Sequence, residues 1–137
     1  MIIEVVFRLT HETDAFLKVV SDPSFLIPKV FPPVYSVEVN ETRFVAYGKY
    51  MGVPFTISGN VFTGENSVTY AFTLSAKGGK GSGRLTVSAL GESGSIKFDF
   101  EGFMHRLAGT FLIRKWLENF AKNLNEEVRL ERIKRKI

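Results

Sequence analysis

The sequence predicts an α+β fold: a curved, seven-stranded antiparallel sheet around a long C-terminal helix, with two short helices after the first strand. Three observations support this prediction. Apolar and polar residues alternate almost throughout residues 35–103, which is the period of half-buried strands. From about residue 106 onward the apolar residues follow a helical period instead. Residues 11–33 hold two short apolar stretches bounded or interrupted by proline, which favours short helices.

The first strand is predicted near the N-terminus, where Glu4 and Arg8 point away from an apolar face. That face consists of Ile3, Val5, Phe7 and Leu9.

Two short helices are expected next. The first lies within residues 11–21, and Asp22-Pro23 ends it and can cap another helix. Residues 24–33 are apolar but contain three prolines, so they form only a short, interrupted helix before an extended exit. Such an oily segment must pack on another apolar surface.

Six further strands are expected between Tyr35 and Phe103, separated by turn residues at 40–41, 51–54, 64–67, 77–83 and 91–95. Short hairpins make the sheet antiparallel, with one face wet and one covered. The expected covered face comprises Tyr35, Val37, Val39, Phe44, Ala46, Phe55, Ile57, Val61, Val68, Tyr70, Phe72, Leu74, Leu85, Val87, Ala89, Ile96, Phe98 and Phe100.

The long helix presents one apolar stripe with Trp116 on its flank. At about 1.5 Å per residue its first part spans about 33 Å, close to the length of a nine-residue strand, so it covers the sheet. The stripe consists of Ile113, Leu117, Phe120, Leu124 and Val128.

Length and composition indicate a single domain over residues 1–137, because this is a common domain size and the apolar content is ordinary. The chain has no cysteine, no stretch long enough to span a bilayer and no secretory signal. The expected location is therefore the cytoplasm.

The net charge of +4 belongs to the C-terminus. Residues 129–137 hold five basic residues against Glu131, so the first 128 residues are neutral. A basic groove for nucleic acid is therefore not expected. In the same tail Leu130, Ile133 and Ile137 point well away from the main stripe. They meet a second copy or a partner, pack locally, or contact a membrane surface.

One helix cannot fill a seven-stranded sheet. The sheet is more than about 30 Å wide, whereas a helix with its side chains is about 10 to 12 Å across. The rest of the concave surface is filled by side chains, by residues 24–33 or by a ligand. Small residues on the covered face, such as Ala46, Gly48, Gly59 and Ala89, are expected to leave volume there.

The chain resembles the helix-grip superfamily of START-like domains, which includes lipid-transfer proteins, birch-pollen-type allergens and polyketide cyclases. Within it the chain is most similar to a group of accessory subunits of carbon monoxide dehydrogenase. The resemblance covers all residues in element order. It rests on Asp22-Pro23, Pro32-Pro33-Val34, the glycine-rich segment LSAKGGKGSGRLTVSAL and FMHRLAGTFLIRKWLENFAKNL at the start of the last helix. The resemblance implies a large apolar cavity between sheet and helix that holds a hydrophobic small molecule.

The expected ligand is a fatty acid or similar lipid, bound without chemical change. The entrance is expected at Phe25, Leu26, Val30 and Phe31. The expected walls are Phe55, Ile57, Phe72, Leu74, Leu85, Val87, Phe98, Phe100, Trp116, Leu117 and Phe120. The polar groups that orient the ligand are expected to be the hydroxyls of Tyr35, Tyr50 and Tyr70.

No metal, cofactor or catalytic residue is expected. His11 and His105 are the only histidines, too few for a metal site, and Gly78 to Arg84 form a hairpin rather than a phosphate loop. Two alternatives stay open. A cyclase or dehydrase would need His11, His105 or a tyrosine as general acid or base. An accessory subunit, which the resemblance to the carbon monoxide dehydrogenase group suggests, would use residues 129–137 to contact a partner or membrane.

Overall fold

In the computed structural model, which describes residues 1–102 and 107–137, a seven-stranded sheet curves around one long helix. The elements in chain order are β1 (Ile2–Arg8), α1 (Thr13–Val20), α2 (Pro23–Val30), β2 (Val34–Asn40), β3 (Arg43–Tyr50), β4 (Val53–Thr63), β5 (Ser67–Ala76), β6 (Gly79–Leu90), β7 (Ser93–Gly102) and α3 (Leu107–Arg135). The predicted α+β architecture is confirmed, including both short helices.

The sheet is antiparallel throughout, with strand order β1-β7-β6-β5-β4-β3-β2. Five hairpins connect β2 to β7, so successive turns lie at alternate ends of the sheet. The glycine-rich segment forms one of these hairpins, with Ala76 paired to Gly79.

The core lies between the concave face of the sheet and the helices. The whole stripe predicted for α3, from Ile113 to Val128, is buried. Asp22 caps α2 as expected, because its carboxylate accepts a 3.0 Å hydrogen bond from the backbone N–H of Ser24 and Pro23 occupies the first turn. Pro28 lies within α2 without ending it.

The glycines of the concave face do not supply empty volume as expected. A Cβ at Gly48 would overlap the ring of Phe55 on the neighbouring strand, and a Cβ at Gly59 would overlap the carbonyl oxygen of Ala71. The space next to these glycines is therefore already filled, and the close backbone approach at Gly59 accompanies the curvature of the sheet.

None of the helices in the described ranges is long and apolar enough to cross a membrane.

Candidate functional site

A cavity of about 640 Å³ lies between one end of the concave sheet face and the first turns of α3. This volume is within the range of about 300–1,000 Å³ typical of small-molecule sites. Its lining is Phe31, Tyr50, Met51, Val53, Phe55, Ile57, Phe72, Leu74, Ala76, Phe98, Phe100, Gly109, Phe111, Leu112, Ile113 and Trp116. Strand ends, the exit of α2 and the start of α3 thus converge on one apolar hollow.

The inner wall of the cavity is a layer of aromatic rings. Phe72, Phe98 and Phe100 stack in pairs with centroids 5.8 to 6.1 Å apart and interplanar angles of 15° to 28°. Phe31 meets the layer edge-on, 6.0 Å from Phe98 and 6.4 Å from Phe72. Because stacked and edge-on pairs hold each other in place, this wall is a preformed surface.

The mouth of the cavity is formed by exposed apolar side chains. Met51 is 85% exposed and Phe111 is 75% exposed, and Val53 and Tyr50 are also exposed. Met51 lies in the β3–β4 turn, where its φ of 50° and the adjacent Gly52 at 82° make the chain reverse tightly. A solvent-facing rim and a buried aromatic wall are what a site entered from one side requires.

Polar groups in this cavity are few. Among the described lining residues the side-chain polar atoms are the Tyr50 hydroxyl and the Trp116 indole nitrogen, and the two rings meet edge-on at 6.0 Å. The described lining has no carboxylate, histidine, lysine or arginine. General acid or base chemistry at these residues would fall to Tyr50 alone.

The structure brings half of the expected ligand-contacting residues together at this cavity. These are Phe31, Tyr50, Phe55, Ile57, Phe72, Leu74, Phe98, Phe100 and Trp116. Eight others are buried in the core beyond the cavity: Phe25, Leu26, Val30, Tyr70, Leu85, Val87, Leu117 and Phe120.

The expected entrance residues on α2 lie in the core for a structural reason. Because α2 runs as a continuous helix to Val30, its apolar side holds Phe25, Leu26 and Val30 in the core. Only Phe31, at the end of α2, reaches the cavity lining. The mouth is therefore formed by the β3–β4 turn and α3 rather than by α2.

Tyr35 and Tyr70 are placed apart from the cavity in opposite ways. Val34 pairs with Gly48 and Ser36 with Tyr47, so Tyr35 is the extra residue of a β-bulge and is 72% exposed. Tyr70 is fully buried, and its hydroxyl donates a 2.7 Å hydrogen bond to the carbonyl of Val20. Burial, with a smaller contribution from Asp22, raises the pKa of Tyr70 well above its usual value.

Sequence reasoning missed seven lining residues: Met51, Val53, Ala76, Gly109, Phe111, Leu112 and Ile113. Met51 and Val53 fall in a stretch interpreted only as a turn. A second helical stripe was the available signal on α3, because Gly109, Leu112, Ile113 and Trp116 are spaced i, i+3, i+4 and i+7.

His11 lies away from the cavity, against the C-terminal part of α3. Its Nε2 is 2.8 Å from the carbonyl oxygen of Asn125, and its Nδ1 is 3.1 Å from a guanidinium nitrogen of Arg132. His11 thus joins the start of α1 to the tail. His105, the other expected acid or base, lies outside the described residues.

No group of three or more possible metal ligands occurs within residues 1–102 and 107–137. Two further depressions are open and polar. One of about 490 Å³ crosses the outer sheet face beside Arg84 and Asp99, and one of about 390 Å³ lies between His11 and the tail. The more enclosed, apolar cavity is therefore the candidate site.

Solved structures share this architecture. A hypothetical protein from Sulfolobus tokodaii is 27% identical with a TM-score of 0.75, over 98% of this chain and 99% of that one. The Zhui aromatase/cyclase from Streptomyces sp. R1128 is 16% identical with a TM-score of 0.56, over 100% and 96% of the two chains. The protein Ara h 8.0201 is 15% identical with a TM-score of 0.58, over 93% and 97%.

Sequence comparison with proteins of curated function gives no match. A family model, in contrast, matches residues 1–137. Its match agrees with the curved sheet, the two short helices after β1 and the long C-terminal helix that the sheet surrounds. The chain therefore belongs to the START-like helix-grip superfamily, also called SRPBCC.

Proposed function

We propose that the protein binds a hydrophobic small molecule, such as a fatty acid or similar lipid, in the cavity between the sheet and α3 and releases it unchanged. The observation that carries the proposal is the lining itself. It is apolar and aromatic at the inner wall, with the Tyr50 hydroxyl near the mouth. Such a site favours a ligand with a long apolar body and one polar end.

The energetics allow useful affinity. Each methylene removed from water contributes about 0.8 kcal/mol, so ten buried methylenes contribute about 8 kcal/mol before the costs of association. Those costs bring the dissociation constant to the micromolar range or weaker, which suits a carrier that must also release its ligand.

A carrier role is favoured over a cyclase role by the scarcity of proton-transfer groups among the described lining residues. The Zhui aromatase/cyclase shares the fold, but a shared fold hosts many functions. Here Tyr50 is the one lining side chain in the described part that could transfer a proton, and a phenol is a weak acid at neutral pH.

Direct binding is measured through Trp116, the one tryptophan of the chain, which lines the cavity. Titration with fatty acids should change its emission saturably, and native mass spectrometry after incubation with a mixed lipid extract should show adducts. Absence of adducts together with unchanged emission would refute the proposal.

A cavity-filling variant tests the location. Ala76 lines the cavity, whereas Ala71 lies on the outer face of the same strand. Ala76→Phe should weaken binding about tenfold or more, because the added ring occupies ligand volume, and Ala71→Phe should leave affinity unchanged. Equal affinity in both variants would place the ligand elsewhere.

A further inference from the structure

The mouth of the cavity carries an unequal distribution of charge. Residues 49–54, 76–80 and 107–116 surround or flank the lining at this end, and they contain five basic residues and no aspartate or glutamate. The basic residues are Lys49, Lys77, Lys80, Arg114 and Lys115, all with exposed side chains.

The opposite end of the sheet has the reverse pattern. The antiparallel connections place alternate hairpins at alternate ends, and the three turns far from the cavity hold Glu41, Glu65 and Glu92. The turns at the mouth hold Lys77 and, shortly before Met51, the strand-end residue Lys49. The two ends of the sheet therefore differ in charge, although the first 128 residues are neutral in total.

Exposed apolar groups lie within the same basic surface. Met51 at 85% and Phe111 at 75% are the tips of the mouth. On α3, Phe111, Arg114 and Lys115 are spaced i, i+3 and i+4 and share one exposed face. A thioether and a phenyl ring surrounded by lysine and arginine match the interface of an anionic bilayer, where apolar groups insert among acyl chains and cations pair with headgroups.

We infer that the mouth surface, defined by Lys49, Met51, Lys77, Phe111, Arg114 and Lys115, docks on an anionic lipid bilayer. A second copy of the chain fits this surface less well, because two such surfaces would bring like charges together. Transfer of a ligand between membrane and cavity rests on the proposed function, whereas docking itself does not.

The test is sedimentation with vesicles of phosphatidylcholine and phosphatidylglycerol, compared with vesicles of phosphatidylcholine alone. The protein should bind the anionic vesicles and be released by high salt. Lys49→Gln with Lys77→Gln should weaken binding about 30-fold, because each basic residue at an anionic surface contributes about fivefold.

Matched variants separate the mouth from the basic tail and from general surface hydrophobicity. Lys134→Gln with Lys136→Gln removes two exposed charges from the tail and should leave vesicle binding nearly unchanged. Met51→Ser with Phe111→Ser should weaken it. Phe62→Ser with Leu90→Ser, which alters side chains 59% and 70% exposed beside the far turns, should not.

Vesicle binding that is absent, insensitive to salt or lost only in the tail variant would overturn the inference. A dimer in solution that Met51→Ser with Phe111→Ser abolishes, without vesicle binding, would assign the surface to a second copy instead. Trp116 titration with fatty acid in the absence of vesicles is the independent readout. Ligand binding without docking refutes only the docking, and docking without ligand binding refutes only the proposed function.

Discussion

Tyr70 carries a hydroxyl into the core, where it joins the centre of the sheet to the end of α1. Its side chain is fully buried, and its hydrogen bond to the Val20 carbonyl satisfies the phenol. The residue therefore contributes to packing and to the connection between two layers, and not to the cavity lining.

Replacing Tyr70 with Phe should lower the free energy of unfolding by about 1–2 kcal/mol, since it removes a buried hydrogen bond. Urea denaturation at neutral pH measures the difference. Trp116 titration should still show ligand binding, because Tyr70 does not line the cavity.

Tyr70 also predicts a dependence of stability on alkaline pH. Because its pKa is raised in the folded state, the folded protein keeps the proton that the unfolded chain loses above about pH 10. The contribution of Tyr70 is fully present below about pH 10 and is lost as the pH rises beyond it. The stability difference between wild type and Tyr70→Phe should therefore shrink above about pH 10, and a constant difference would contradict this assignment.

Close contact between neighbouring elements limits what each can accept in sequence. At Gly59 the backbone of β5 lies so near β4 that a Cβ would overlap the Ala71 carbonyl. Because that obstacle is main chain and not a mobile side chain, the strands themselves would have to move.

Gly59→Ala should destabilise the protein by about 1–3 kcal/mol or more, as expected for overpacking. Gly64→Ala is the control, because its nearest atom is the Ser67 hydroxyl at 3.2 Å, which can rotate. Denaturation midpoints measure both, and equal midpoints would show that the β4–β5 approach is looser than described.

The tail of α3 is held locally through its basic residues. Arg135 pairs with Asp22 and with Glu131, each at 2.6 Å, and the contact with Arg135 lowers the pKa of Glu131. Arg132 contacts His11 and Glu12. Leu130, Ile133 and Ile137 stay exposed, so local packing accounts for two of the arginines but not for the apolar residues.

Asp22 serves both as the cap of α2 and as the partner of Arg135, and substitutions separate these roles. Asp22→Ala should cost about 1 kcal/mol or more, since it loses the cap and the ion pair. Asp22→Asn keeps a capping oxygen and should cost less, as should Arg135→Ala. A double-mutant cycle in urea should give a coupling of about 1 kcal/mol or less for this partly exposed pair.

For the molecule as a whole, ligand binding should stabilise the fold, because the cavity exists only when the sheet and α3 are assembled. At ligand concentrations about 100 times the dissociation constant the gain is about 2.7 kcal/mol. Thermal unfolding should shift upward with fatty acid for the wild type and for Ala71→Phe. A shift of the same size in Ala76→Phe would argue against binding in this cavity.

The element order, the antiparallel sheet, the buried stripe of α3 and the Asp22 cap could all be predicted from the sequence. Each depends on local periodicity or on one residue acting on its neighbours, so the signal is present in the order of the residues. The same reasoning predicted half of the expected ligand-contacting set correctly, since residues such as Phe72 and Phe98 belong to the concave face by strand alternation.

The position of the cavity along that face, and the residues that form its mouth, required the three-dimensional arrangement. The alternation of a strand separates one face from the other but does not tell which part of the face α3 and α2 cover. The bulge that turns Tyr35 to solvent and the burial of Tyr70 against α1 arise from pairing between distant segments. So does the convergence of Met51 and Phe111 at one end, because residues far apart in sequence meet only once the sheet has closed around the helix.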